Sequence, residues 1–356
     1  MDLTNRTPLP AALSTTELSP ELPRVGFLTA KATWRWNASG ELALDTQEPF
    51  GILDEDEPTD LGLLPRDNLP RRDEAFEVIV LGAAYPQAGR AATWCPVGMS
   101  VGTVRRELLV IGDREWLPLD APTTQRSISD PAPFTRMPLT WARSFGGTAT
   151  VLLDPDAEVV VNHAMNPLGT GFDPAPAARI LGRQVGVPEG WPRVDRRRRL
   201  PNIERPDDRV ANWASDPRPG GWATIPLDSP MHGHRLADAG ALARDPEPSW
   251  PHHEALYRAH PDWILPLPPA GTPVVLDGFA ADGRITLTIP RLRAIMDWVI
   301  GDERGSLELR PHTLVLLPEE RRLYMVYRTH FNLPQPGVER ALRLRTEEGW
   351  FGASAP

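Results

Sequence analysis

The chain has 356 residues, 41% of them hydrophobic and 24% charged, and a formal net charge of −9 at pH 7. That length suits one large β-rich domain or two smaller ones with a sizeable core, and the acidic balance speaks against nucleic acid, which needs a concentrated basic footprint. Proline, at 41 residues, exceeds twice its usual share of about 5%; each one fixes φ and removes a donor, which disfavours long helices and multiplies turns and strand stops.

Residues 1–19 read as an N-terminal arm with neither a basic nor an apolar leader, and no apolar run reaches membrane-spanning length. Cys95 is the only cysteine, so no internal disulfide forms, and a soluble, cytoplasmic protein is expected. A β zone follows over 20–160. Residues 25–36 and 41–44 flank a turn at Asn37 to Gly40 and predict a hairpin. Residues 75–83 and 100–111 predict further strands, and the acidic, proline-bearing stretch around 54–57 predicts a solvated loop.

Residues 161–270 form a loop-rich insert. Asp173, Pro174 and a terminal Gly182 predict one short helix, and 251–259 a second. A second β zone covers 271–330, with hairpins at 272–289 and 314–328. Between them, 291–300 fits both a helical stripe and a strand face; the flanking hairpins favour strand. Residues 331–356 read as a C-terminal tail. The fold expected is therefore mainly β: a β-sandwich, or paired sheet zones joined by a long Pro/Gly-rich loop region with a few short helices.

Candidate chemistry is sparse. Gly98-Met99-Ser100-Val101-Gly102 matches a nucleophile elbow, but that device needs a strand, a sharp turn and then a helix, and strand-like residues follow here. Cys95 has no local nucleophile signature, and a small buried hydrophobe is the simpler reading. His232, His234, His252, His253 and His260 gather five of the eight histidines, which zinc could use, although no carboxylate pattern accompanies them. Gly169-Thr170-Gly171 lacks the strand context of a phosphate cradle. Twelve tryptophans could line a sugar-binding face, yet Trp34, Trp36, Trp116, Trp141 and Trp298 lie where core packing explains them. The run Arg196-Arg197-Arg198-Arg199 suits an acidic patch on this chain or on a partner. No cofactor and no metal are expected.

A series of phrases carries more: 29–34, 77–85, 101–116, 133–139, Arg-Ser-Phe-Gly-Gly at 143–147, Asn-Pro-Leu-Gly-Thr-Gly-Phe at 166–172 and Leu-Pro-Asn-Ile-Glu at 200–204. In this order and spacing the chain resembles the bacterial domain-of-unknown-function family 2169 over roughly residues 20–330, which the resemblance makes a single β-rich adaptor domain. Members are associated with type VI secretion systems as effector adaptors or chaperones. The resemblance implies a non-enzymatic protein that binds a toxin effector, or its proline-alanine-alanine-arginine-repeat tip, and helps load it on the spike protein. It implies no membrane or nucleic-acid partner. The segments 220–226 and 230–235 depart from a Gly-Phe-Gly-Pro phrase and a Trp-x-x-Arg element of many members, which leaves open the cargo and whether the contractile machine is a relative.

Proline-restricted loops on a β scaffold lose little entropy on docking. The residues expected at the binding surface are Asn166, Gly169, Gly171, Phe172, Trp191, Arg197, Leu200, Asn202, Glu204, Trp213 and Trp222. For Asn166, Gly169, Gly171 and Asn202 a purely structural role in tight turns is the competing reading. Two other classes stand beside the adaptor: a serine or zinc hydrolase, and a carbohydrate-binding β module.

Overall fold

The computed structural model describes residues 2–16, 25–69, 75–117, 127–154, 157–172, 199–212, 215–227, 229, 231, 256–333 and 340–347, with backbone alone at 2, 16, 88, 149–154, 157–161 and 340. The protein is mainly β, with several sheets, one of which curls into a nearly closed barrel. The expected helix at 173–182 lies outside the described residues, and the described part of the second, 256–259, is not α-helical.

The barrel-like sheet is organised around Val25–Trp36. Its even positions Leu28, Ala30, Ala32, Trp34 and Trp36 face the main core, as a period of two requires. Its odd positions Thr29, Lys31 and Thr33 are polar, yet they are buried as well. The loop over 45–69 closes that second face. Phe50 N–H donates to Thr33 Oγ1, Asp67 Oδ2 lies 2.6 Å from Lys31 Nζ, and Arg35 Nε donates to Asp45 Oδ2. The acidic stretch expected to be solvated therefore has a structural member: Asp56 accepts both arms of the Arg258 fork at 2.9 and 2.7 Å.

Around the barrel the strand order is Asp2–Asn5, Arg340–Thr346, Ala294–Ile300, Glu303–Leu317, Arg322–Asn332, Val25–Trp36, Ala11–Thr16. The presumed arm and tail thus contribute strands at 2–5, 11–16 and 340–346. Glu303–Leu317 shifts register between Pro311 and Thr313. Before the shift it pairs with Ala294–Ile300, and after it the same strand pairs in parallel with Ala75–Val80. A proline has no N–H for a ladder, so the change of partner falls where one bond is missing anyway.

A second, five-stranded sheet is ordered Ile203–Glu204, Val104–Ile111, Trp94–Val101, Pro273–Asp277, Ile285–Thr288. Both sheets draw strands from both β zones, so the two zones interleave into one core instead of standing apart. The hairpins at 25–44, 273–288 and 303–332 and the strand over 294–300 form as their patterns predict. Pro96 sits within Trp94–Val101, paired with Leu109.

Candidate functional site

The two proline-glycine phrases meet around one short segment, 140–147. Asn166 is buried, and its Nδ2 donates to the carbonyls of Trp141 (2.9 Å) and Phe145 (3.0 Å). Its own carbonyl accepts the N–H groups of Gly147 and Gly169. A side-chain amide thus replaces the ladder bonds that a loop lacks. The approach is too close for larger residues. A Cβ on Gly169 would lie 2.5 Å from Asn166 Nδ2 and 2.7 Å from the Ser144 carbonyl, and one on Gly146, at φ +141°, would run into the Asn166 carbonyl. Phe145–Gly146 and Thr170–Gly171 then pair in parallel. Phe172 sets its ring against His163, whose Nδ1 accepts the Asn166 N–H.

The second phrase grips the same segment from the other side. Asn202 donates from its backbone to the Arg143 carbonyl, and its Nδ2 donates to the Ile111 carbonyl and Asp113 Oδ1, each at 3.0 Å. Its Oδ1 accepts Arg143 Nη1 at 2.9 Å. Leu200 packs with Trp116, Phe145 and Val210 in a small separate core. Glu204 is 2% exposed and receives Arg114 Nη2 at 2.5 Å, Arg209 Nε at 3.2 Å and the Val210 N–H. One step on, Arg205 Nη1 donates to Asp262. Burial pushes the Asp262 carboxyl up, but His260, Arg205 and Arg106 outweigh it and hold the group below the usual carboxylate range.

Leu200, Asn202, Glu204, Asn166 and Trp222, expected at a binding surface, are therefore buried and engaged within the chain. Trp222 stacks on Phe279 with ring centroids 5.2 Å apart and meets the edge of Trp263. An anchor residue must reach a partner, and this one is sealed in the main core. Gly169 and Gly171 serve close backbone approach. Trp191, Arg197 and Trp213 lie outside the described residues.

What the phrases build is a groove. A cavity of about 550 Å³, open to solvent, is lined by Asp113, Arg114, Glu115, Leu117 and Ser129 together with Thr140, Ala142, Arg143, Thr170, Arg199, Leu200 and Asn202. Glu115 and Arg199 are direct antiparallel neighbours on this lining. Arg114 is buried with its Nε free of any hydrogen bond among the described residues, and Arg199 and Ala142 are exposed. Arg114, Arg143 and Asp113 carry no chemical signature in sequence. Arg114 meets Glu204 across 90 positions, and only the fold joins them.

The other candidate chemistries find these settings. Ser100 lies in Trp94–Val101, which turns at Gly102 (φ +57°) straight into Val104–Ile111, with no helix following. Cys95 is buried, and desolvation pushes its thiol up to about 11. His232, His234, His252 and His253 lie outside the described residues. His260 is buried, stacks on Trp141 and accepts the Asp262 N–H. Among the described residues no group of three or more His, Cys, Asp or Glu side chains is placed to hold a metal. Trp34, Trp36, Trp116 and Trp141 are buried as core residues. No described helix is long and apolar enough to cross a membrane.

A family model described as an uncharacterized protein conserved in bacteria, DUF2169, matches residues 23–328. Searches of curated proteins and of solved structures returned no match.

Proposed function

Because this chain belongs to the bacterial family DUF2169, we propose that it is a non-enzymatic adaptor of the type VI secretion system or of a related contractile machine. It binds a toxin effector, or the proline-alanine-alanine-arginine-repeat tip of one, in the cytoplasm and helps seat it on the spike. The observation that carries this reading is the groove over 140–147: open, about 550 Å³, and lined by guanidinium and hydroxyl groups on a scaffold of buried, satisfied loops. Forked donors held on rigid loops suit stoichiometric recognition of another chain.

The test is co-purification of the tagged full chain from its native lysate, with mass spectrometry of what remains bound. A spike protein or tip-domain toxin recovered in near-stoichiometric amount is expected. Recovery of the protein alone overturns the adaptor.

A further inference from the structure

We infer that the groove over 140–147 is an acidic-peptide site, in which Arg199 and Arg143 take the carboxylates of an extended Asp/Glu-bearing segment of a partner protein. The inference deepens the adaptor reading and rests on it for the partner being a protein.

Three cations line the groove, and each keeps unused donors. The exposed Arg199 makes no side-chain ion pair or hydrogen bond among the described residues. Among the described residues Arg143, with 36% of its side chain exposed, donates only through Nη1, to Asn202 Oδ1 at 2.9 Å, with Asp113 Oδ1 at 3.6 Å. Arg114 is held by Glu204, yet its buried Nε has no hydrogen bond among the described residues. A guanidinium fork matches a carboxylate in two parallel bonds, and such charge-assisted pairs are the strong ones. A donor kept from water without a partner gains most when one arrives.

Two carboxylates, Asp113 and Glu115, share the lining. They exclude a uniformly anionic polymer such as nucleic acid, which would meet repulsion there. A peptide escapes the conflict because neutral residues separate its charges, so that a single carboxylate can reach Arg143 or Arg199 although Asp113 and Glu115 stand beside them. The half-exposed Leu117 on the same lining offers an apolar contact, which a small inorganic anion has no use for.

The probe is a short fluorescein-labelled peptide of alternating glutamate and serine. Its glutamine counterpart serves as control, and both are titrated by anisotropy against the full chain. The glutamate peptide should bind, the glutamine peptide at least about tenfold more weakly, and added salt should weaken the former. Arg199→Glu should cost about tenfold or more, and so should Ala142→Glu, which adds a carboxylate to the lining. Arg293→Glu, far away on the outer face of the barrel, should change nothing. Circular dichroism and an unchanged melting midpoint establish that each variant is folded.

Equal binding of both peptides, no binding, or indifference to both groove substitutions overturns the inference. So does displacement of the peptide by inorganic phosphate at comparable concentration, which would make the groove a small-anion site. The same variants in the lysate experiment keep the two readings apart. A spike or tip-domain protein retained by Arg199→Glu and Ala142→Glu leaves the adaptor standing and removes the groove. Peptide binding by a chain that recovers no partner does the reverse.

Discussion

The barrel-like sheet and the loop layer beside it are both buried, yet different physics holds them. In the sheet, backbone pairs with backbone: Arg322–Asn332 follows Val25–Trp36 in unbroken antiparallel register from Arg322↔Arg35 to Asn332↔Val25. Core-facing side chains there fill volume, while Lys31 and Thr33 on the other face bind the loop over 45–69. In the loop layer the backbone lacks a ladder, and side chains take its place: Asn166 for Trp141 and Phe145, Asn202 for Ile111, Ser144 Oγ for the Gly220 N–H. The sheet should tolerate changes of shape. The loop layer should tolerate almost no change of chemistry.

The largest expected effect tests a buried ion pair of the layer, Arg114 with Glu204. Glu204→Leu keeps most of the volume but strands Arg114 without its carboxylate, and breaking a buried pair from one side costs about 3–5 kcal/mol. Denaturant unfolding measures it. A loss below about 1 kcal/mol would mean that Arg114 finds water, and would weaken the contrast.

Next comes a matched pair of substitutions. Asn166→Leu leaves the Phe145 carbonyl without its Asn166 donor and takes from the Trp141 carbonyl one of two, the Ser144 N–H remaining, at about 1–3 kcal/mol for an orphaned group. Leu28→Ile in the sheet, equally buried, should cost less than about 1.5 kcal/mol. Similar losses for the two would erase the distinction between regions.

Acid should sharpen the comparison further. Burial pushes the Asp56 carboxyl up, but the Arg258 fork and the Arg66 N–H outweigh it, and the group rests below the usual range. Asp262 is lowered in the same way. For Glu319 the Arg136 hydrogen bond is the leading cause and lowers it too. A carboxyl depressed in the folded state contributes stability above its unfolded value, about 3.9 for Asp and 4.3 for Glu, and loses it as pH falls through the folded value. Stability should therefore hold from neutrality down to about pH 5 and decline steeply below about pH 4. Hydrogen exchange should rise at 203–205 and 258–262 before it rises along Arg322–Asn332. Asp56→Asn should make the decline shallower, and an unchanged slope would remove Asp56 from this account.

The smallest effect lies on the barrel's outer face. Arg293 bridges Glu308 and Glu347 at 2.8 and 2.6 Å, but it is solvent-exposed, and such pairs are screened. Arg293→Ala should leave the melting midpoint unchanged within error, and a clear drop would show that the ladder outside contributes as the layer inside does.

Much of the fold was legible because local chemistry is enough for hairpins. The turns Asn37-Ala38-Ser39-Gly40, Ala281-Asp282-Gly283 and Pro318-Glu319-Glu320 each join neighbouring strands that pair as their patterns require. The site was legible only by half. The phrases at 166–172 and 200–204 do mark the place, but Asn166, Leu200, Asn202 and Glu204 are buried, and Thr170, Leu200 and Asn202 share the groove with residues outside the phrases. A polar residue in a loop reads as exposed until one knows which carbonyls it must serve. Lys31 shows the same limit: it is the only lysine in a chain otherwise basic through arginine. Composition offered no reason, whereas the fold buries it between Asp67 at 2.6 Å and the Tyr324 ring at 4.5 Å.

By itself, then, the sequence determined the β class, the hairpins and the location of the shaped loops, because proline, glycine and period-two patterning act over a few residues. Tertiary structure alone decided that the two β zones interleave, that the arm and tail become barrel strands, and that Arg114 meets Glu204. Those outcomes depend on contacts between distant positions. Their free energy arises from burial and desolvation once the chain has closed on itself, and no local pattern records it.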